Sequence, residues 1–219
     1  MINADKNIRT KRKTVALSVD NEGRVIVRAP LDCSEKRIRE ALLDSEKWLE
    51  KQLKKYEESR LIREIYGIRN GGKIPLLGED FETVFSPVSS AKVEGRTIFL
   101  SEKNPEEQLK KLYRKIALNY FTERTEYFSS LTGFVPSSVK VTSAKTRWGS
   151  CTSKRNINYS LFLVMCPLDI IDYVIVHELC HIKHPDHSRL FWNEVEKTVP
   201  DYKRRRKWLK DNRYIMDLI

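Results

Sequence analysis

The segment between Pro167 and Pro185 constrains the fold more than any other part of the sequence. It reads LDIIDYVIVHELCHIKH, an apolar stretch that predicts one helix, buried for most of its length. Proline is accepted in the first turn of a helix and stops a helix that runs into it, so the two prolines set the expected limits. A helix this apolar needs a protein core around it, and the rest of the chain is expected to supply that core.

The same helix carries an H-E-x-x-H motif, His177-Glu178-Leu179-Cys180-His181. Residues four apart lie on one helical face, one turn apart, so the two imidazoles can bind a single zinc ion. Glu178 lies about 100° around the helix from His177, where it can reach a zinc-bound water without replacing a ligand. Its expected role is to take a proton from that water. Cys180 points away from this face and is expected to pack in the core.

The distribution of histidines opposes a chance match to the motif. The chain has four histidines, and all of them lie between positions 177 and 187. Catalytic zinc has three protein ligands and keeps one position for water, so His184 or His187 should complete the site. His184 would lie about 10 Å along the helix axis from His177, whereas a turn at Pro185 would bring His187 back. The sequence therefore favours His187; two glutamates of the next predicted helix are further alternatives, Glu194 and Glu196.

The N-terminal part alternates apolar and polar residues over 14–20 and 24–30, around the turn Asn21-Glu22-Gly23, which predicts a β-hairpin. Ser34 is a predicted N-cap for one long helix that runs to about Arg60. Its apolar stripe comprises Ile38, Leu42, Leu49 and Leu53. Short strands between 71 and 100 are expected to join the same sheet as the hairpin.

Asn104 and Pro105 predict the start of another helix, and Gly133 its end. Its expected buried face comprises Leu109, Leu112, Ile116, Tyr120 and Phe121. A strand over 137–145, loop and hairpin material over 146–160, and helices over about 188–198 and after Pro200 complete the chain. The expected fold class is α+β, with a mixed or antiparallel sheet. The expected division is a strand-and-helix part, 1–103, and a metal-binding part, 104–219, which could also form one continuous domain.

The net charge of +11 favours anionic partners, although basic residues spread over helices also serve only to solvate a surface. The run KRRRK at 203–207 is denser than solvation requires, so nucleic acid is a possible partner of this C-terminal helix, with Trp208 available for stacking. No apolar run reaches the roughly 18–20 residues of a membrane helix, and no signal peptide is evident. Four cysteines without a C-x-x-C pair indicate reduced thiols and a cytoplasmic protein.

Three segments together resemble the YgjP-like family of predicted metal-dependent hydrolases, zincins that are related to SprT-like proteases. They are TRWGSC (146–151), VIVHELCHIKH (174–184) and HSRLFW (187–192). The resemblance implies a zincin-like fold. It also implies His177, His181 and His187 as zinc ligands and Glu178 as the catalytic base.

The segment TRWGSC has two interpretations. Arg147 offers a planar fork for an anion, Trp148 a flat apolar face, and Gly149 a point where the backbone can approach a ligand closely. Alternatively, Trp148 fills the core and Gly149 permits a bend. The family resemblance favours the first interpretation, in which these three residues bind substrate at a wall of the active-site cleft.

The leading functional hypothesis is a zinc-dependent hydrolase with a metallopeptidase-type active site that acts on a peptide or an anionic substrate. A metal-dependent nucleoside triphosphate phosphohydrolase fits the positive charge and Arg147. However, the sequence has no glycine-rich phosphate loop and no carboxylate cluster for magnesium. A nucleic-acid-binding protein with a secondary zinc site is the third hypothesis, and it leaves the histidine cluster unexplained.

Overall fold

The computed structural model describes residues 2–20 and 22–219, apart from the side chains of residues 59 and 63, and its fold is α+β, as predicted. The chain divides into two compact units, Met1–Glu64 and Ile65–Ile219. The predicted division between 103 and 104 therefore falls inside the second unit. The reason is that strands before residue 103 contact elements that follow it: the Tyr113 hydroxyl donates to the carbonyl of Pro75 at 2.7 Å, and the Leu77 N–H to that of Val164, also at 2.7 Å.

The first unit contains three strands and two helices. They are β1 (Lys6–Thr10), β2 (Ala16–Val19), β3 (Val25–Pro30), α1 (Glu35–Asp44) and α2 (Glu46–Ile65). The antiparallel pair β2–β3 is the predicted hairpin. Asn21 of its predicted turn lies outside the described residues, but the Asp20 carboxylate accepts the N–H groups of Glu22 and Arg24. The sequence did not predict β1, which is polar and pairs in parallel with β3.

Ser34 is the N-cap of α1, as predicted, and its hydroxyl accepts the N–H of Arg37. The predicted single helix is interrupted at Ser45, which separates α1 from α2. The apolar stripe nevertheless packs as expected. Its buried members Ile38, Leu42 and Leu49, with partly buried Leu53, cover Val25, Val27 and Ala29 of β3.

The second unit begins with a four-stranded sheet and continues with the elements that build the site. In order they are β4 (Gly72–Leu76), β5 (Glu79–Phe85), β6 (Lys92–Glu94), β7 (Thr97–Leu100), α3 (Pro105–Thr132), β8 (Ser138–Thr142), β9 (Gly149–Cys151), β10 (Asn156–Ser160), a 3-10 helix (Leu161–Met165), α4 (Leu168–Cys180), α5 (Arg189–Thr198), α6 (Tyr202–Asp211) and a final 3-10 helix (Arg213–Asp217). The order β4-β5-β7-β6 is a sheet of its own, so the prediction of a sheet shared with the first hairpin was wrong. These strands pair with one another, and β1 takes the free edge of β3 instead.

The long helix α3 packs against α4. Gly133 ends it, as predicted, in the left-handed region at φ 75°, but Asn104 at its start makes no side-chain capping bond. The fully buried face differs from the predicted one because only Leu109 and Phe121 are common to both. The other buried residues are Tyr113, Ala117, Thr125 and Phe128.

The helix α4 is the centre of the core, with nine buried residues among its thirteen. It ends at Cys180, earlier than the predicted stop at Pro185, because the carbonyl of Cys180 accepts the N–H groups of Lys183 and His184 in a closing turn. Cys180 is fully buried, as expected for a packing residue. Beside α4 lies the sheet β8-β10-β9, in which β8 and β10 are parallel and β9 is antiparallel to β10. Within the described part of the chain, no helix is both long and apolar enough to cross a membrane.

Candidate metal site and active-site cleft

Three histidines converge where α4 ends and α5 begins. His177 lies in the last turn of α4, His181 caps that helix, and His187 lies just before α5. Their potential ligand atoms all lie within 4.8 Å of one another. The Nε2 atoms of His177 and His187 are 3.1 Å apart. The structure therefore brings together the three residues that the sequence selected as ligands.

The carbonyl oxygen of His184 orients the imidazole of His181. It lies 3.0 Å from Nδ1 of His181, so the tautomer with a proton on Nδ1 donates to it and leaves Nε2 available to a metal. The side chain of His184 lies elsewhere, with Nε2 3.7 Å from the carboxylate of Glu194. The carboxylate of Glu194 forms ion pairs with Lys183 and Lys197. Among the described residues, the alternative third ligands are thus not part of the cluster.

The environment of His177 and His181 favours the neutral imidazole, which is the form that binds a metal. Burial lowers the pKa of His177 to about 3, and His181, His187 and Arg206 contribute to the shift. Burial also lowers the pKa of His181. A set of three imidazole nitrogen donors suits zinc, whose catalytic sites have three protein ligands and one open position.

Glu178 lies beside this cluster with only 5% of its surface exposed. Burial raises its pKa to about 8, and the positive charge of Arg147 acts in the opposite direction. Within the described chain, Oε2 of this carboxyl is buried without a hydrogen-bond partner. A buried acceptor of this kind is costly unless it has a ligand or water to bind. The unpaired oxygen therefore fits a group that acts on a bound water.

Strand β9 passes directly over the carboxyl of Glu178. A Cβ atom on Gly149 would lie 2.6 Å from Oε1 and 2.7 Å from Cγ of Glu178, closer than real contacts allow. Glycine is therefore required at this position because any side chain would displace the carboxyl. The sequence predicted that the backbone at Gly149 could approach a ligand closely; in the structure, the group next to Gly149 is the side chain of Glu178.

A cavity of about 390 Å³ opens in front of His177 and Glu178. It is lined by Arg147, Trp148, Gly149, Tyr173, Val174, His177, Glu178, Arg206, Leu209, Lys210 and Arg213. All three residues of the predicted cleft wall are among them. Arg147 is exposed at the cavity, while Trp148 is half-buried and also packs against the core.

Six residues that line this cavity were not predicted from the sequence as site residues: Tyr173, Val174, Arg206, Leu209, Lys210 and Arg213. Tyr173 precedes His177 by four positions, so the helical spacing that selected His181 would also have selected Tyr173. Arg206, Lys210 and Arg213 are separated by four and then three residues, which places them on one side of the C-terminal helical region. The density of the run KRRRK concealed this pattern.

Three other cations of that run make ion pairs within the protein. Arg204 pairs with Asp169 at 2.8 Å and with Asp201 at 2.6 Å. Arg205 pairs with Asp201 at 2.8 Å, and Lys207 pairs with Asp211 at 2.6 Å. Arg206 instead lies with its guanidinium 4.9 Å from the ring centre of Trp192. The basic run therefore contains three paired cations, Arg206 at the cavity, and Lys203, whose Nζ lies 5.7 Å from the ring centre of Tyr202.

Three imidazoles, a buried carboxyl and an open cleft define the class of metal-dependent hydrolases. Residues 13–212 match the family model of the YgjP-like metallopeptidase domain. The chain belongs to the YgjP-like family, as the sequence motifs indicated, and it carries a hydrolase domain of the metallopeptidase type.

Comparison with solved structures finds a similarity to the crystal structure of the metallopeptidase zymogen of Pyrococcus abyssi abylysin. The sequence identity is 22% and the TM-score is 0.39, over 42% of this chain and 93% of that chain. No curated protein sequence matches the chain.

Proposed function

We propose that the protein is a zinc-dependent peptidase in which His177, His181 and His187 bind the ion and Glu178 is the general base. One observation carries this proposal: the ligand atoms of the three histidines lie within 4.8 Å of one another, next to the buried carboxyl of Glu178. Nitrogen donors in this number favour zinc over magnesium or calcium, which prefer oxygen ligands.

When bound, zinc supplies a Lewis acid that lowers the pKa of a water and polarises the scissile carbonyl. The residues of the chain perform the proton transfers. The unpaired oxygen of Glu178 accepts a proton from the attacking water and then delivers it to the nitrogen of the leaving amine. The positive charge of Arg147 favours the ionised carboxylate that this role requires, because it opposes the rise in the pKa of Glu178.

Two contacts keep these groups in place. The bond from His181 Nδ1 to the carbonyl of His184 fixes the imidazole, and the backbone of Gly149 limits the positions open to the Glu178 carboxyl. The burial of α4 excludes water from the far side of both groups. A peptide bond can approach His177 and Glu178 through the cavity that they line.

The test is Glu178→Gln, which keeps the shape of the side chain and removes the base. Peptidase activity on a mixture of internally quenched peptides should fall by about 10²–10⁴-fold. The zinc content, measured by atomic emission, should stay near one ion per chain. The matched control is Glu196→Gln, which changes an exposed glutamate of α5 and should leave activity and metal unchanged. Loss of zinc in Glu178→Gln would assign Glu178 to metal binding, and unchanged turnover would exclude it as the base.

A further inference from the structure

The cavity beside the proposed catalytic centre is lined by an excess of positive charge. Four basic side chains line it, and Glu178 is the one acidic residue among the described lining residues. The four, Arg147, Arg206, Lys210 and Arg213, come from the loop before β9, from α6 and from the 3-10 helix that follows. Separate elements of the fold thus place like charges around one small volume, an arrangement that costs free energy unless an anion is bound there.

Three of these cations are available to a ligand. Within the part of the chain that the structure describes, Arg147, Arg206 and Lys210 have no carboxylate at ion-pair distance, and all three are exposed. The stacking of Arg206 on Trp192 uses the face of the guanidinium and leaves its N–H edge free to donate. Arg213 is less available to a ligand, because its guanidinium donates hydrogen bonds to the carbonyls of Lys145 and Thr146 at 3.4 and 3.5 Å. It therefore braces the loop that carries Arg147.

Three other cations of α6 are paired within the protein, whereas Arg206 and Lys210 of the same helix line the cavity with no carboxylate of the described residues at ion-pair distance. Arg204, Arg205 and Lys207 lie on the same helix, and each is paired with an aspartate. Arg206 also lines the same cavity as His177 and Glu178. An anion at Arg206 would therefore lie close enough to the site to belong to the molecule being cleaved.

The other wall of the cavity is apolar. Trp148, Val174 and Leu209 line it, and Tyr173 adds an aromatic ring. A ligand that fits both walls has an apolar body and at least one anionic group. A peptide with an acidic side chain near the scissile bond has this chemistry, and its size is compatible with a cavity of about 390 Å³.

This inference rests on the proposed peptidase function. We propose that Arg147, Arg206 and Lys210 form a subsite for a substrate carboxylate, so that the enzyme selects peptides with Asp or Glu close to the scissile bond. A nucleotide phosphate shares the anionic chemistry. The peptide is the better fit because the matching domain is a metallopeptidase domain and the sequence has no glycine-rich phosphate loop.

The test uses the zinc-loaded full chain and a set of internally quenched peptides that differ at one position only. That position is Glu, Gln or Lys, and it is moved stepwise along both sides of an alanine- and leucine-rich core. At one or more positions, kcat/KM for the Glu peptide should exceed that for the Gln peptide by about tenfold, a free-energy difference of about 1.4 kcal/mol. The Lys peptide should be the poorest substrate. The preference for Glu should shrink as salt is raised, because the cations are exposed.

Variants then assign the preference to the subsite. Arg206→Gln and Lys210→Gln should each reduce the Glu-to-Gln ratio several-fold, and Arg206→Glu should shift the preference towards Lys. Lys203→Gln is the matched control, since it removes an exposed charge from the same helix without changing the cavity lining. Fluorescence anisotropy of labelled Glu and Gln peptides on Glu178→Gln protein measures the same selectivity without turnover. There the Glu peptide should bind about tenfold more tightly.

The outcomes separate the two proposals. Equal cleavage and equal binding of the Glu, Gln and Lys peptides would overturn the carboxylate subsite and leave the peptidase function intact. Cleavage of no peptide in the set would overturn the peptidase function. Hydrolysis of a nucleoside triphosphate without peptide cleavage would overturn both proposals and assign the cations to phosphate.

Discussion

The two sides of the cleft are built differently. On the buried side, His177, Glu178 and Gly149 are held by the core and by one another, and their contacts leave no room for an additional methyl group. On the open side, His187 and the cations Arg147 and Arg206 are exposed, although His187 and Arg206 also lie against the ring of Trp192. The buried side therefore has one geometry, whereas the open side can adjust to what enters.

This difference separates the two tasks of an enzyme site. General-base catalysis depends on the position of the base relative to the water, so rigid surroundings that hold the carboxyl of Glu178 in place favour the reaction. Selection of a charged substrate depends on charge and reach, which exposed arginine and lysine side chains provide. Substitutions on the buried side should therefore remove chemistry or stability, and those on the open side should change activity or selectivity without loss of the fold.

The largest effect is expected from the histidines, which lie on both sides. His177→Ala and His187→Ala should each lower zinc content from about one ion per chain to a small fraction and abolish activity. They should differ in stability without metal. Both rings contact Phe191, at 4.9 and 4.8 Å between ring centres, but His177 is half-buried and His187 is exposed. Loss of His177 should therefore cost about 1–3 kcal/mol, and loss of His187 less, at most about 1 kcal/mol. Denaturant unfolding of the metal-free proteins measures this difference.

His184→Ala is the control for the histidine variants. It should keep its zinc because His184 serves His181 through the backbone carbonyl and not through the side chain. An empty site in His184→Ala together with a full site in His187→Ala would reverse the assignment of the third ligand.

Arg147 on the open side should give the next largest effect. Arg147→Ala should lower kcat/KM by roughly 10²–10³-fold if the guanidinium holds a substrate anion or a developing oxyanion. Arg147→Lys should be nearly as damaging because the bidentate fork is lost. Zinc content and melting temperature should match those of the parent, since the side chain is exposed. A variant that is fully active, or one that loses several kcal/mol of stability, would make the loop structural.

Gly149→Ala probes the buried side without a change of charge. The added Cβ would displace the Glu178 carboxyl, and a displacement of about 1 Å is expected to cost about 10²-fold in kcat. Zinc should remain bound because the histidines are untouched. Ser150→Ala in the same strand is the control and should retain activity. Full activity in Gly149→Ala would show that the carboxyl can move without consequence.

The smallest effect on activity is expected for an ion pair outside the cavity lining. Arg124 of α3 donates two hydrogen bonds of 2.8 Å to the carboxylate of Asp172 in α4. Arg124→Ala should lower the free energy of unfolding by about 1–3 kcal/mol, because a charge-assisted pair is lost and Asp172 is left partly buried. Turnover of the folded protein should change little. Arg60→Ala, which affects an exposed pair with Glu57, is the control and should cost less than about 0.5 kcal/mol. A large loss of activity in folded Arg124→Ala would mean that this pair positions α4 for catalysis.

The sequence predicted the local structure of the site better than its surroundings. Helical spacing and proline act over a few residues, and they predicted three local features. These are the helix that carries H-E-x-x-H, the turn at Pro185 that brings His187 close to His177, and the start of α5. The pairing of β4–β7 as a separate sheet, the parallel strand β1 and the break at Ser45 depend on distant contacts that periodicity does not contain.

The lining of the cleft shows the same limit. Arg147 was found because it lies in a recognisable motif, whereas Arg206 and Lys210 come from another helix and reach the cleft only through tertiary packing. The four-residue spacing of Arg206 and Lys210 predicts that they share one face of α6, but it does not predict that this face is turned towards His177. The approach of Gly149 to Glu178 also joins two segments that are distant in the sequence.

The ion pairs along α6 also affect how the chain would bind a polyanion. Binding of DNA or RNA releases condensed counterions, and each phosphate neutralised by a free cation contributes about −0.9 to the slope of log K against log salt for duplex DNA. The cations Arg204, Arg205 and Lys207 already have aspartate as counterion within the protein, so they would release few ions from a nucleic acid. Although the sequence of α6 has five consecutive basic residues, the affinity of this helix for nucleic acid would therefore depend on salt as weakly as that of a much shorter basic segment.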